Sequence, residues 1–115
     1  MKTNRDVIQT RGFSKKIDKF LSERKLLKED FETLKKSLVK DPEQGDLIPG
    51  TGGVRKVRLK SSTKGKRGSF RVCYFDDPGR EELFLMQIYT KNEKENLSSD
   101  EKNALKEFSE MVKRG

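Results

Sequence analysis

The run LFLMQIY, residues 83–89, has a single polar side chain among its seven. A β-strand sends successive side chains to opposite faces, so a run apolar at both parities must be covered on both sides. It therefore reads as a central strand. The segments around it fit a sheet: strands at about 54–60, 69–76 and 82–90 are joined by the turn stretches SSTKGKRG and DDPGRE, which predicts an antiparallel meander.

Helical periodicity accounts for most of the remaining apolar residues. Val7-Ile8-Gln9 with Phe13 suggests a short first strand. Ser14 is positioned to cap a helix in which Ile17, Phe20 and Leu21 share a face. Leu27, Phe31, Leu34 and Leu38 mark a second helix, ended by Asp41-Pro42 and followed by a loop from Pro42 to Gly53. Ser98 and Glu101 have the spacing of a capping box, and the helix after them sets Ala104, Leu105, Phe108, Met111 and Val112 on one stripe. The expected order is β-α-α-β-β-β-α: an α+β fold with a small antiparallel-rich sheet, two N-terminal helices and one C-terminal helix, in a single domain over residues 1–115. Leu, Ile, Val and Phe make up 28 of the 115 residues, above the share of about 20% below which chains stay disordered. The core is affordable but thin, so modest stability is expected.

The net charge is +8, and its placement says more than its size. Between Val54 and Arg71 lie eight cations (Arg55, Lys56, Arg58, Lys60, Lys64, Lys66, Arg67 and Arg71) and no acid, while the rest of the chain is balanced. A patch of this kind expects phosphate, an anionic surface or an acidic protein. Cys73 is the only cysteine, which rules out an internal disulfide and fits a reducing compartment. No apolar run suits a signal peptide or a membrane span, so the expectation is a soluble, cytoplasmic protein without a membrane partner. Asn96-Leu97-Ser98 matches a glycosylation acceptor and reads as chance in that setting.

The chain has no histidine, which excludes a histidine nuclease and a Ser-His-Asp triad, and with one cysteine it argues against zinc. Asp76, Asp77, Glu81 and Glu82 cluster near a turn; a solvated acidic turn is the plainer reading, with magnesium the alternative. Gly45 to Gly50 has the spacing of a phosphate-binding loop, but Thr51 stands where its lysine belongs and a strand follows, so nucleotide hydrolysis is rejected. No metal or cofactor is expected. In 54–60, Val57 and Leu59 point one way and Lys56, Arg58 and Lys60 the other. Arg71 sits inside FRVCYF, a lone cation among apolar neighbours, which suggests a fixed role. Lys64, Lys66 and Arg67 lie in a turn, where solvated lysines are common. Lys91, Glu93 and Lys94 leave the last strand; alone they read as a solvated charge run, but beside a basic sheet face they could supply what phosphodiester cleavage requires. Attack by an RNA 2′-hydroxyl builds charge on the phosphate, which arginine and lysine stabilise, and a lysine of lowered pKa moves protons.

Taken together, LIPGTGGVRKVR (47–58), GKRGSFRVCY (65–74) and IYTKNEKENLSSDEKNAL (88–105) resemble the RelE/HigB superfamily of bacterial toxins, nearest the HigB-like branch, over about residues 5 to 112. The resemblance implies a RelE-like fold and a toxin of a type II toxin–antitoxin module. Such a toxin is a ribosome-dependent, metal-independent endoribonuclease (an mRNA interferase) that inhibits translation. Its implied partners are the ribosome, mRNA and a cognate antitoxin, expected to be a helix-turn-helix protein, with DNA reached only through the toxin–antitoxin complex. Arg71 matches the family's strand arginine, Lys56 is retained, and Arg58 stands where a lysine is common. Asn92 replaces an arginine found in some members, and Leu97 and Ser98 occupy the region of their C-terminal tyrosine. The candidate catalytic residues are Arg71, Lys91 and Lys94, with Glu93 weaker; the candidate RNA-binding residues are Arg55, Lys56, Arg58, Lys66 and Arg67. A non-catalytic RNA or ribosome binder and a ParE-like toxin acting on DNA gyrase are the alternatives. Pro49 and the glycines of 45–53 read as a tight reversal that sets the register of the basic strand, ahead of a phosphate nest at Gly52 and Gly53.

Overall fold

In the computed structural model, which describes residues 4–62 and 69–115, the chain runs through β1 (Asp6–Gln9), α1 (Arg11–Ser22), α2 (Lys28–Lys40), β2 (Asp46–Leu47), β3 (Arg55–Lys60), β4 (Ser69–Asp77), β5 (Glu82–Thr90) and α3 (Ser99–Arg114). The strands form a five-stranded sheet in the order β1-β5-β4-β3-β2. β1 pairs with β5 in parallel and every other neighbouring pair is antiparallel. The architecture is α+β, as expected. Its one parallel pair has a connectivity cause. After β1 the chain crosses one face of the sheet through α1 and α2, enters the far edge at β2, and meanders back until β5 lies beside β1.

β5 is covered on both faces. Leu83, Leu85 and Ile88 join Phe13, Ile17, Phe20, Phe31, Leu34 and Leu38 of α1 and α2 in one core. Phe84, Met86 and Tyr89 join Leu105 and Val112 of α3, with Val54, Cys73 and Phe75, in the other. Strict alternation would put Leu85 and Ile88 on opposite faces. A bulge resolves this: Cys73 pairs with Gln87 but Tyr74 with Leu85, so Met86 is the extra residue and the parity of β5 switches there.

Three local expectations are corrected. The cap of α1 is Thr10 rather than Ser14: Thr10 Oγ1 accepts from the Phe13 amide at 3.4 Å, and Ser14 Oγ donates to the Gln9 side chain at 2.8 Å. The apolar stripe begins at Phe13, four residues before Ile17, so the helix must start a turn earlier. The 42–53 loop contains a short edge strand, β2, in register with Lys56 and Arg55. Tyr74 pins its approach: the Gly45 amide donates to Tyr74 Oη at 2.9 Å, and that hydroxyl donates to the Pro42 carbonyl at 2.7 Å. Finally, α3 buries Leu105, Ser109 and Val112, leaving Ala104 exposed and Met111 56% exposed. Phe108 stays at the boundary, edge-on to Phe84 at 5.4 Å between centroids.

The rotation of α3 follows from polar contacts to the glycine loop. Ser109 Oγ donates to the Thr51 carbonyl at 2.8 Å, and Lys113 Nζ donates to the Gly52 carbonyl at 2.6 Å. Within the loop, buried Thr51 donates from its hydroxyl to the Ile48 carbonyl at 2.6 Å and accepts from the Val54 amide at 3.2 Å. The Ile48 amide closes the turn onto the Val54 carbonyl at 2.9 Å. Gly50 and Gly52 have φ of +79° and +74°, so the reversal needs residues that tolerate the left-handed region.

Both glycines carry that backbone requirement, but only Gly52 is also crowded. A Cβ at Gly52 would lie 2.7 Å from Ser109 Oγ, whereas nothing lies within 4 Å of one at Gly50. Gly50→Ala should therefore cost about 1–2 kcal/mol from backbone conformation alone. Gly52→Ala should cost more, about 2–4 kcal/mol, because the contact with α3 must also shift. Urea unfolding of the two variants checks the difference; equal losses would show that the loop–helix contact carries no weight.

Candidate nucleic-acid interface

The register of the sheet builds a cationic row. Arg58 of β3 lies directly opposite Arg71 of β4, and Arg71 lies directly opposite Tyr89 of β5. Residues opposed in an antiparallel pair share a face with Cβ atoms about 5 Å apart, so Arg58, Arg71 and Tyr89 form one line across three strands. Lys56 and Lys60 flank Arg58 on the same face, opposite Cys73 and Ser69. α3 covers this face at Cys73 and Tyr89, whereas Arg71 is half-buried and Arg58 exposed.

Two arginines opposed across strands repel each other, yet no carboxylate among the described residues pairs with Lys56, Arg58, Lys60 or Arg71. Arg71 Nη1 donates to Ser69 Oγ at 2.7 Å, a neutral partner that orients the guanidinium without neutralising it. Elsewhere the chain does neutralise its charges: Arg5 grips Asp76 through Nε at 2.6 Å and Nη2 at 3.2 Å, and Lys16 meets Glu93 at 2.7 Å. The row is thus an uncompensated positive site on a rigid sheet, suited to an anion with several oxygens.

The exit of β5 divides the other candidates. Lys94 Nζ contacts the Glu101 carboxylate in the first turn of α3 and sits 5.5 Å from the Tyr89 ring centroid, so it borders the row. The Lys94 hydrogen bond, and then the Ser98 amide, hold the Glu101 carboxyl below its ordinary value. Glu93 is engaged away from the row: it accepts from the Thr90 amide at 2.9 Å and from Lys16. Burial works against its charge, but the hydrogen bonds from Lys16 and the Thr90 amide outweigh it and keep the carboxyl low. Lys91 is exposed on the turn, with no hydrogen bond or ion pair among the described residues.

Arg55 is not on this face. It shares the parity of Val57 and Leu59, and its guanidinium donates from Nη1 to the carbonyls of Glu43 at 3.1 Å and Gly45 at 2.7 Å, holding the β2 approach. Lys66 and Arg67 lie outside the described residues. The acidic turn is partly committed, with Asp76 bound by Arg5 and Asp77 3.8 Å from Arg80. Cys73 lies on the same face beside the row, covered by α3, and its thiol is pushed up by burial to about 12, so it is inert at neutral pH.

Tyr89 was hidden in the sequence inside an apolar run. Only the bulge and the cross-strand register bring it level with Arg71. Its side chain is fully buried, and its hydroxyl has no hydrogen-bond partner among the described residues. Burial raises its pKa, aided by Cys73 and opposed by Arg71.

A family model described as the RelE toxin of the RelE/RelB toxin–antitoxin system matches residues 7–114. The chain belongs to the RelE toxin family. Among solved structures, a mutant of the E. coli toxin RelE in the free state is similar to it, with 20% identity and a TM-score of 0.48 over 75% of this chain and 82% of that one. Within this RelE family member no helix of the described residues is long and apolar enough to cross a membrane.

The uncompensated row predicts a linked pair of effects. Arg58→Gln removes one partner of a like-charge pair, so at low salt it should leave the protein as stable as before or up to about 1 kcal/mol more stable. The same variant should gain less stability than the parent when sulfate is added, since it binds the ion less well. Thermal melts across a sulfate series test both; equal sulfate gains would remove Arg58 from the anion site.

Proposed function

We propose that this RelE family toxin is an endoribonuclease that cuts mRNA on the translating ribosome and is neutralised by a cognate antitoxin, and that it falls in the HigB-like branch on its LIPGTGGVRKVR motif. The observation that carries the reading is the opposed, unneutralised pair of an exposed Arg58 and a half-buried Arg71 on one face of the sheet. A phosphodiester seated between them meets two guanidinium forks on one face. Attack of the adjacent 2′-hydroxyl on phosphorus, its proton passing to solvent, forms the 2′,3′-cyclic phosphate and breaks the bond to O5′, which leaves as a 5′-hydroxyl after taking a proton from Lys94. Negative charge grows on the non-bridging oxygens during this step, and Arg71 and Arg58 stabilise it. Lys56 and Lys60 hold the neighbouring phosphates.

Lys94 is the candidate for proton transfer, because it borders the row and its contact with Glu101 can be exchanged for one with the leaving oxygen. Lys91, exposed on the turn, is assigned to contacts with the substrate backbone or the ribosome. The chain has no histidine to share this work, so the chemical step is expected to proceed without a divalent metal, with arginine and lysine supplying the charge.

Expression without an antitoxin should stop protein synthesis, with mRNA cut only while it is translated. Primer extension on translated and untranslated copies of one message checks this; equal cleavage of naked RNA, or growth arrest with translation intact, would count against it. Arg71→Ala should reduce the cleavage rate by roughly 10²–10³-fold, the usual effect of removing one donor to a developing oxyanion. Arg71→Lys should recover only part, since an ammonium cannot reproduce the planar fork. A folded Arg71→Ala protein with full activity would make the row a docking surface and the chain a binder.

A further inference from the structure

Tyr89 presents an imbalance that the cleavage reading leaves unexplained. Its ring is part of the core under α3 and is fully buried, yet its hydroxyl has no donor or acceptor among the described residues. Leaving a buried polar group unmatched costs about 1–3 kcal/mol, and nearly all such groups in folded proteins find a partner. The other buried tyrosine of this chain does: Tyr74 accepts from Gly45 and donates to Pro42. Packing alone would be met by phenylalanine at position 89, so the unmatched oxygen calls for a ligand.

Its surroundings say which kind. Tyr89 is the third member of the row whose other two members are Arg58 and Arg71, and the ammonium of Lys94 rests against its ring. Arg71 faces Tyr89 from the neighbouring strand, and Glu101, the acid that acts on it from α3, is taken up by Lys94. A phenol among cations donates to an anion. We infer that the Tyr89 hydroxyl donates a hydrogen bond to a phosphate oxygen of RNA seated on the Arg58–Arg71 pair, with Lys94 giving way as the phosphate enters. This rests on the RNA-binding part of the proposed function and is independent of whether the bound RNA is cut. It assigns Tyr89 as a phosphate-binding residue. Glu101, besides capping α3, then holds Lys94 against the ring while the site is empty.

The substitution Tyr89→Phe keeps the ring and removes only the oxygen. The probe is a short RNA oligonucleotide with 2′-O-methyl groups, which binds but cannot be cleaved by internal attack. Three readings are expected together. Urea unfolding should show Tyr89→Phe as stable as the parent or more so, because the lost group had no partner. Affinity for the probe should fall about ten-fold or more, as for loss of a hydrogen bond to a charged group. The dependence of affinity on salt should keep the parent's slope, because no cation is removed, whereas Arg58→Gln should flatten it. A clear loss of stability in Tyr89→Phe with affinity within two-fold would mean that the hydroxyl has a structural partner and would overturn the inference; so would a parent protein that does not bind the probe. If the parent binds the probe and Tyr89→Phe weakens it, but the parent never cuts translated mRNA, the cleavage reading fails and this one stands.

Discussion

Burying β5 on both faces is the constraint from which the architecture follows. Leu83, Leu85 and Ile88 require one apolar layer and Phe84, Met86 and Tyr89 another, with each fully buried side chain contributing about 1.5–3 kcal/mol. α1 and α2 form the first layer because the chain must cross the sheet from β1 to β2, and their crossing covers that face. Only α3 remains for the second. A single helix cannot cover a five-stranded sheet, so part of that face stays open, and it is there that β3 and β4 place their cations.

The glycine loop connects these two halves. Its left-handed residues and Thr51 turn the chain from β2 into β3, and the outward carbonyls of Thr51 and Gly52 accept from Ser109 and Lys113 of α3. The contacts that orient α3 therefore also set where β3 begins, and hence which of its side chains reach the open face. Shifting β3 by one residue would exchange Arg58 for Leu59 opposite Arg71 and send the cations into the core under α1 and α2. The loop is structural in this sense, and the site depends on it.

The row itself is a local conflict in an otherwise consistent fold. Ion pairs neutralise Arg5, Lys16 and Lys94, whereas Arg58 and Arg71 are opposed without an acid and Tyr89 keeps an unmatched hydroxyl. Folded proteins accept such departures from good pairing at sites that bind something, and like charges held together on strands bind an anion without having to be gathered first.

Local order along the chain made much of this legible in advance. Period-two and period-3.6 patterns located the meander, both N-terminal helices and α3; the capping box at Ser98 and Glu101 and the two-sided character of LFLMQIY depend only on neighbouring residues. The parity of Lys56, Arg58 and Lys60 was likewise readable, because alternation within one strand is a local property; by the same rule Arg55 belongs to the opposite face. Partnership between distant segments was not. The bulge at Met86, the opposition of Arg58 to Arg71, and the place of Tyr89 beside them are matters of register between strands. Register is decided by how whole faces bury, and no single stretch encodes it. The stripe of α3 shows the same division. Hydrophobic spacing favoured Ala104 and Met111, but hydrogen bonds from Ser109 and Lys113 to a loop some sixty residues earlier turned the helix away from them. The sequence by itself determined which elements form and that a basic strand lies beside an apolar one; only the tertiary structure decided which side chains meet, because meeting depends on contacts between segments far apart in the chain.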